Sequence, residues 1–324
     1  MSDDKRLEVE KEAMIFGFLL GDGHLTESGD ISFTGDKQGL ENLRNDMASL
    51  YGDVGNAKIS EFYSESKNYG IKGTAHRFSS IREIGRRYIE LGCPFGSKVD
   101  QSFTLPDWIV EGTFEIKRNF ISGLYSAEGY TPSMQMNGKT LRTMGFNMHR
   151  RKSLEHTLPE YMNQYSKIID DVGIGYTYNQ EVRITCEENI RFEFQFDNNE
   201  KNIFRLFELL DLRYCPKRQK RIDEYKPYYE TKKKIVDKLA VINEYSLTNR
   251  DESATVIAEK FGINRDLIYQ WRKRNSSVRL PSSFPTFKDF EEQGMGELTG
   301  KSLESFLPSV FRNENVAQLT TAVR

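Results

Sequence analysis

Asp22 and Glu128 each close an apolar stretch of the same design. Residues 15–23 read Ile-Phe-Gly-Phe-Leu-Leu-Gly-Asp-Gly, and residues 121–129 read Ile-Ser-Gly-Leu-Tyr-Ser-Ala-Glu-Gly. Both copies place glycine third, a small residue seventh (Gly21, Ala127), an acid eighth and glycine ninth. Such apolar runs predict helices, and a carboxylate at a helix C-terminus faces the negative end of the dipole, so a cation is expected beside it. Small residues four apart share one helical face, which lets two such helices approach until Asp22 and Glu128 converge. Two hard oxygen ligands at one point suit Mg²⁺, with Mn²⁺ as the alternative. Mg²⁺ usually takes one or two protein carboxylates and completes its shell with water and phosphate oxygens. Metal-assisted phosphodiester hydrolysis is the chemistry these two residues predict, with no nucleophilic side chain required.

The elements that must position the acids also come twice. After the first copy, a hairpin-like stretch (24–34) leads to a helix over 36–50, whose Leu40, Leu43, Met47 and Leu50 share one face, then strands near 57–64 and 72–79 and a helix over 81–91. After the second come strands near 131–137 and 141–148, a helix over 151–171, strands near 176–186 and 189–197, and a helix over 200–211. Both halves read α-β-β-α-β-β-α. Phe192, Phe194 and Phe196 alternate with Arg191, Glu193 and Gln195, and Met144, Phe146 and Met148 with Thr143, Asn147 and His149. That period of two predicts sheets with one apolar and one polar face.

In these residues, over roughly positions 10 to 228, the chain resembles the single-chain LAGLIDADG homing endonucleases, in which two motif copies replace a homodimer. The resemblance implies an α+β fold of two pseudo-symmetric αββαββα domains with saddle-like antiparallel sheets. It implies that Asp22 and Glu128 bind the catalytic metals, and that Gly21 and Ala127 offer backbone carbonyls near them. Both halves also end alike, as Leu91-Gly-Cys-Pro-Phe-Gly-Ser-Lys98 and Arg213-Tyr-Cys-Pro-Lys-Arg-Gln-Lys220. The plain reading is a pair of matching turns after proline-stopped helices. The family places a basic residue on a comparable loop, which makes Lys98 and Lys220 candidates to neutralise charge developing on a phosphate. On the polar sheet faces, which the family lays in the DNA major groove, Ser32, Thr34, Arg77, Arg142, Asn147, Arg183, Thr185, Arg191 and Gln195 are the candidate base-reading residues.

Past residue 231 a different pattern begins. Residues 231–250 predict a connecting helix, with Ile235, Leu239 and Ile242 at helical spacing. Residues 254–274 look like a helix-turn-helix, with Ala258 at the helix contact, Gly262 at the turn, and Ile257, Phe261, Ile263, Ile268 and Trp271 as the apolar skeleton. Its second helix offers Arg265, Tyr269, Gln270, Arg272 and Lys273 to a groove or to phosphates. The expected domains are therefore 1–110 and 111–230 for the two halves, 231–280 for the linker and helix-turn-helix, and 281–324 for a tail without assigned role.

Composition bounds the rest. The 324 residues are 37% hydrophobic and 12% aromatic, enough for real cores, and the net charge is −2. That total does not advertise a nucleic-acid binder, but basic residues gather at 201–240, Lys217, Arg218, Lys220 and Arg221 among them, while acids gather at 1–12 and 289–304. No apolar run is long enough to cross a membrane, and the charged start is no signal peptide. A soluble intracellular chain in the cytoplasm or an organelle matrix is expected. Cys93, Cys186 and Cys215 lack zinc-ligand spacing and read as reduced structural thiols. An intein is not expected, because the chain begins Met1-Ser2 and ends Ala322-Val323-Arg324. The resulting expectation is a monomeric, Mg²⁺-dependent double-strand DNA endonuclease that leaves 3′ overhangs at a long asymmetric target. The alternatives are a non-cleaving DNA-binding regulator of the WhiA type, or an intron maturase with intron RNA as a further partner.

Overall fold

The computed structural model describes residues 3–52, 54–55, 58–65, 72–186, 188–274, 278 and 284–292, with the side chains of 3–4, 64–65, 72, 179–186 and 274 outside that description. The order is α1 (Asp3–Asp22), β1 (Gly23–Leu25), β2 (Ile31–Gly35), α2 (Lys37–Tyr51), β3 (Ser60–Glu65), β4 (Lys72–Ser80), α3 (Arg82–Glu90), α4 (Asp107–Val110), α5 (Phe114–Glu128) and β5 (Gly145–Arg151). A 3₁₀ turn (Lys152–Thr157), α6 (Leu158–Asp171), β6 (Tyr176–Cys186), β7 (Asn189–Phe196), α7 (Glu200–Leu209), α8 (Pro216–Thr248), α9 (Ala254–Phe261), α10 (Arg265–Arg274) and α11 (Phe287–Glu292) follow. The class is α+β, with two antiparallel sheets ordered β1-β2-β4-β3 and β5-β7-β6.

Contacts divide the chain into one unit of residues 1–133 and 142–222 and another of 134–141 and 223–324. In the first unit α1 and α5 lie against each other at glycines. A Cβ added at Gly17 would stand 2.2 Å from the Phe120 carbonyl oxygen, and one at Gly123 would stand 1.9 Å from that of Met14. Only a missing side chain permits backbones this close. The C-terminal halves of both helices are apolar on nearly all sides because they are enclosed: residues 13–20 of α1 and 120–127 of α5 are buried. Each helix also plugs a sheet. Phe18 stacks on Phe33 of β2 at 6.1 Å, and Phe33 on Phe78 of β4 at 6.2 Å. On the other side Tyr125 stacks on Phe196 of β7 at 6.0 Å, and Phe120 meets Tyr165 of α6 at 6.0 Å.

The second sheet is one strand shorter than the spacing predicts. Strands were expected at 131–137 and 141–148, yet only Gly145–Arg151 forms one, with Gly129 bridged singly to Phe146. Pro132 has no N–H to donate, and Asn137-Gly138 makes a turn: Asn137 Oδ1 accepts from Lys139 N at 2.9 Å, and Gly138 has φ 64°. The 134–141 hairpin belongs to the second unit, where Leu141 N donates to the Tyr229 hydroxyl at 2.8 Å and Phe287 N to the Gly138 carbonyl at 2.6 Å. Its backbone is therefore satisfied by α8 and the 284–292 segment rather than by the sheet.

That segment is apolar for the same reason. Tyr228 of α8, fully buried, packs on Phe284, Phe287 and Phe290 at 5.5, 5.7 and 5.3 Å, and its hydroxyl donates to the Pro285 carbonyl at 2.8 Å. Tyr228→Ala is expected to cost the second unit about 3–5 kcal/mol, as large aromatic truncations do. Hydrogen exchange should show residues 284–292 losing protection first.

The helix-turn-helix outline is present within the second unit. Ser253 caps α9 by accepting from Val256 N, Gly262 turns the chain at φ 62°, and Ile257, Ala258, Ile263, Ile268 and Trp271 are buried. Phe261 is half-buried and stands edge-on to Tyr245 at 5.1 Å.

Candidate functional site

Asp22 is the last residue of α1 and Glu128 the last of α5. The glycine-mediated approach of the helices continues to their ends. A Cβ at Gly21 would meet Ala127 Cβ at 2.3 Å, Glu128 Cγ at 3.0 Å and Glu128 Oε1 at 3.4 Å. The carboxylate of one motif thus sits against the backbone of the other. Burial, and then the Glu128 charge, push the Asp22 carboxyl up to about 7, against Arg218 and Lys98, which pull it down. Burial likewise raises Glu128, with Lys98 and Arg218 opposing. Asp22 is exposed and Glu128 half-buried, so solvent tempers both shifts, and their shared upward direction is the informative part.

The cation expected at each helix end is there. Lys98 Nζ donates toward the carbonyls of Leu19, Leu20, Gly21 and Gly23 at 2.7, 2.8, 3.2 and 2.7 Å. Burial pulls its ammonium down to about 8, while Cys93, Glu128 and Asp22 act the other way and Arg150 adds to the lowering. The matching place on α5 is filled by Arg218, a residue the sequence reading did not select. Its Nη1 donates to the Ser126 carbonyl and to those of Tyr125 and Ala127 at 3.4 and 3.1 Å. These are the fifth, sixth and seventh positions of the second motif, as Leu19, Leu20 and Gly21 are of the first.

Lys220, at the same offset from Cys-Pro as Lys98, is exposed. The cause is local. After Cys93 the chain runs irregularly, through Gly96 at φ 80°, whereas after Cys215 the helix α8 starts at once with Pro216. A helix advances about 1.5 Å per residue, so equal offsets reach different places. A basic residue in the first turn of a helix that starts at Cys-Pro was the available signal.

The other candidate residues are placed as follows. Ser32 and Thr34 lie on the polar face of the first sheet, opposite Ser79 and Arg77, and exposed Arg77 also covers the Phe62 ring at 5.1 Å. Arg142 is exposed, and Asn147 and Gln195 are half-buried on the polar face of the second sheet. Arg183 and Thr185 fall outside the described side chains. Arg191 is engaged locally: its Nη2 donates to the Tyr130 hydroxyl at 2.9 Å, and that hydroxyl donates to Glu193. In α10, Arg265, Tyr269, Gln270 and Lys273 are exposed. Arg272 instead donates to the carbonyls of Ser246, Asn249 and Glu252 at 3.0, 2.8 and 2.9 Å.

Among the described residues no group of three or more His, Cys, Asp or Glu side chains is arranged so that it could hold a metal ion. A divalent ion beside Asp22 and Glu128 would have two carboxylates and otherwise water or substrate oxygens, a donor set that fits Mg²⁺. Burial raises both acids although two cations stand near, and a divalent ion between them would favour their charged forms. The Gly21 and Ala127 carbonyls accept from Lys98 and Arg218, and each keeps a second lone pair. Cys93 is a buried free thiol, pushed up to about 12 by burial. Among the described residues no helix is long and apolar enough to cross a membrane.

No protein-family model matches the chain. It is similar to the tRNA-splicing ligase RtcB of Methanopyrus kandleri, 28% identical over 87% of this chain and 29% of that protein. The RtcB of Pyrococcus furiosus is 27% identical over 87% of this chain and 30% of that protein. The replication factor C small subunit of Methanocaldococcus jannaschii is 25% identical over 86% of this chain and 15% of that protein. The chain therefore spans less than a third of the relatives it matches. A solved mesophilic variant of the homing endonuclease I-DmoI covers 63% of this chain and is itself covered over 98%, at 13% identity and a TM-score of 0.39, a likeness too low to carry an argument.

These relatives correct the reading taken from the motifs. Relatives matched over most of the chain bear a tRNA-splicing ligase name, which speaks of RNA and not of double-stranded DNA. The identification as a LAGLIDADG homing endonuclease, double-strand DNA cleavage with 3′ overhangs, the long DNA target, and the WhiA-type and intron-maturase alternatives are set aside accordingly. The physical reason is that two converging carboxylates carry no information about a polymer: the 2′-hydroxyl that distinguishes RNA lies on the sugar, away from the phosphorus that a metal would meet. Two expected DNA-reading arginines, Arg191 and Arg272, are moreover held by neighbours within the chain.

Proposed function

We propose that Asp22 and Glu128 form a divalent-metal centre for phosphoryl transfer on RNA, as this chain's part of the strand joining that the ligase name of its relatives denotes. The observation that carries the reading is the convergence of two carboxylates at paired helix ends, each with a cation on the carbonyls behind it. A bound Mg²⁺ or Mn²⁺ would polarise a phosphate oxygen and acidify a bound water or hydroxyl. Asp22 and Glu128 would hold the ion, with Lys98 beside them on the carbonyls that end α1. The close approach of α1 and α5 at Gly21 and Ala127 supports a centre shared by the two acids.

One finding favours a second reading. A stretch of this length is shared by proteins with unrelated names, a ligase and a replication factor, in which it makes up under a third of the chain. A segment common to such different proteins is expected to be a self-contained unit whose substrate need not be that of the protein around it.

The deciding experiment offers the purified chain end-labelled RNA strands, one ending in a cyclic phosphate and one in a 5′-hydroxyl, so that joining breaks the ring ester and needs no further reactant, and, in parallel, the same sequence as duplex DNA, with Mg²⁺, with Mn²⁺ or with chelator. New RNA lengths that need metal and vanish in Glu128→Gln are expected. Products from duplex DNA alone would overturn the RNA assignment while leaving the metal centre in place, and metal-independent products would overturn the centre.

A further inference from the structure

Phe95 stands exposed on the loop that carries Lys98 to the end of α1. Both ends of that loop are anchored: Cys93 is buried, and Lys98 Nζ lies on the carbonyls of Leu19, Leu20, Gly21 and Gly23. Between them the backbone is fixed as well. Gly96 N donates to the Leu25 carbonyl at 2.7 Å, and Gln101 Nε2 donates to the Phe95 and Ser97 carbonyls at 2.6 and 3.1 Å. Yet Phe95 is 41% exposed. A lone exposed apolar residue is ordinary on a protein surface, and placement sets this one apart. The edge strand β1 begins directly after Asp22, and the Gly96 hydrogen bond lays the loop against that strand. Leu25 lies three residues beyond Asp22, about 10 Å at the rise of a strand. The ring therefore stands within a nucleotide or two of any phosphate held beside Asp22.

We propose that Phe95 is a base-stacking platform for the RNA strand engaged at the Asp22–Glu128 centre, holding a nucleobase close to the reacting phosphate. This rests on the phosphoryl-transfer reading and adds to it how the strand is gripped. Strand ends present unpaired bases, and aromatic side chains are common platforms for them, with little sequence preference because every base offers a π face. A ring on a loop that is already fixed loses little freedom when a base settles on it. The platform is one-sided. In the second half the position after Cys-Pro is Lys217, exposed in the first turn of α8, so only the first half has a ring to offer. Strand joining involves two unlike ends, and a platform on one side alone gives them different places.

The test measures binding of a 5′-dye-labelled RNA strand that ends in a cyclic phosphate, with Mg²⁺ and without a 5′-hydroxyl strand, so that nothing is joined. The strand is offered complete, lacking the base of its last nucleotide, or lacking that of the last but one. Phe95→Ala in the full chain is expected to weaken the complete strand about tenfold, the loss of one base stacked on an aromatic ring. On one of the two abasic strands it should bind within about twofold of wild type, because there the contact is already gone. Phe95→Trp should bind the complete strand at least as well as wild type. Phe114→Ala removes another exposed phenylalanine, at the far end of α5 about 21 Å from Glu128, and should stay within about twofold throughout. A purely structural Phe95 would lower affinity for all three strands alike. The proposal is overturned by that result, by Phe95→Ala binding the complete strand as wild type does, or by Phe95→Trp binding no better than Phe95→Ala. Failure of the RNA reading looks different: the wild-type chain binds none of the strands, and the platform falls with it.

Discussion

Asp22→Asn is expected to abolish phosphoryl transfer, by about a thousandfold or more, while making the metal-free protein more stable at pH 8. The two effects have one cause. In the fold the Asp22 carboxyl is raised from 3.8 to about 7 by burial and by Glu128. A carboxyl raised on folding is protonated more readily in the folded than in the unfolded chain. Its ionisation therefore removes stability as pH rises from near 4, and the loss is complete above about 7. Asparagine carries no charge to repel, so the melting-temperature advantage of the variant should be full at pH 8 and vanish towards pH 4. Metal should reverse the order. A hundredfold excess over Kd contributes about 2.7 kcal/mol to the wild type, a rise of roughly 5–10 °C for a unit of this size, and next to nothing to the variant. Melting curves at pH 4.5 and 8, with and without Mg²⁺, check all of this. A variant less stable than wild type at pH 8 without metal would show that the carboxylates are not in conflict.

Gly123→Val is expected to be the most damaging single substitution in the first unit. A Cβ at this position would stand 1.9 Å from the Met14 carbonyl oxygen and 3.0 Å from Phe18 N, both backbone atoms that no rotamer change can move. The helices must separate, opening the core that Phe16 and Phe120 share at 6.3 Å. Overpacking a core typically costs 1–3 kcal/mol, and a backbone clash this deep is expected to cost about 4 kcal/mol or more. Gly73→Ala, where an added Cβ meets nothing within 4 Å, is the matched control and should change stability by less than about 0.5 kcal/mol. Denaturant unfolding reads the difference. If Gly123→Val unfolds like the control, the close pairing of α1 and α5 is wrong. Any Gly123→Val protein that survives should also lose the metal-induced rise in melting temperature, because Asp22 and Glu128 no longer face one ion.

The sequence by itself determined the features that repeat. Glycine third and an acid eighth, twice, required paired helices ending in carboxylates, because few residue sets other than this allow backbones to touch and then stop at a charge. Period-two phenylalanines at Phe192, Phe194 and Phe196 required a sheet with one buried face, and Ala258, Gly262 and Trp271 required a helix, a turn and a second helix. Each of these signals is local, carried within one or two turns or one strand. Tertiary structure decided what local spacing cannot express. Arg218 rather than Lys220 meets the second helix end because one Cys-Pro segment continues as loop and the other as helix. Residues 134–141 leave the sheet because α8 and the 284–292 segment offer their backbone better partners. Arg191 and Arg272 are engaged because Tyr130 and the Ser246, Asn249 and Glu252 carbonyls come to them from elsewhere in the chain. The identity of the polymer was likewise beyond the motif, since a metal ion held by two carboxylates would meet only a phosphate, and every nucleic acid carries the same one.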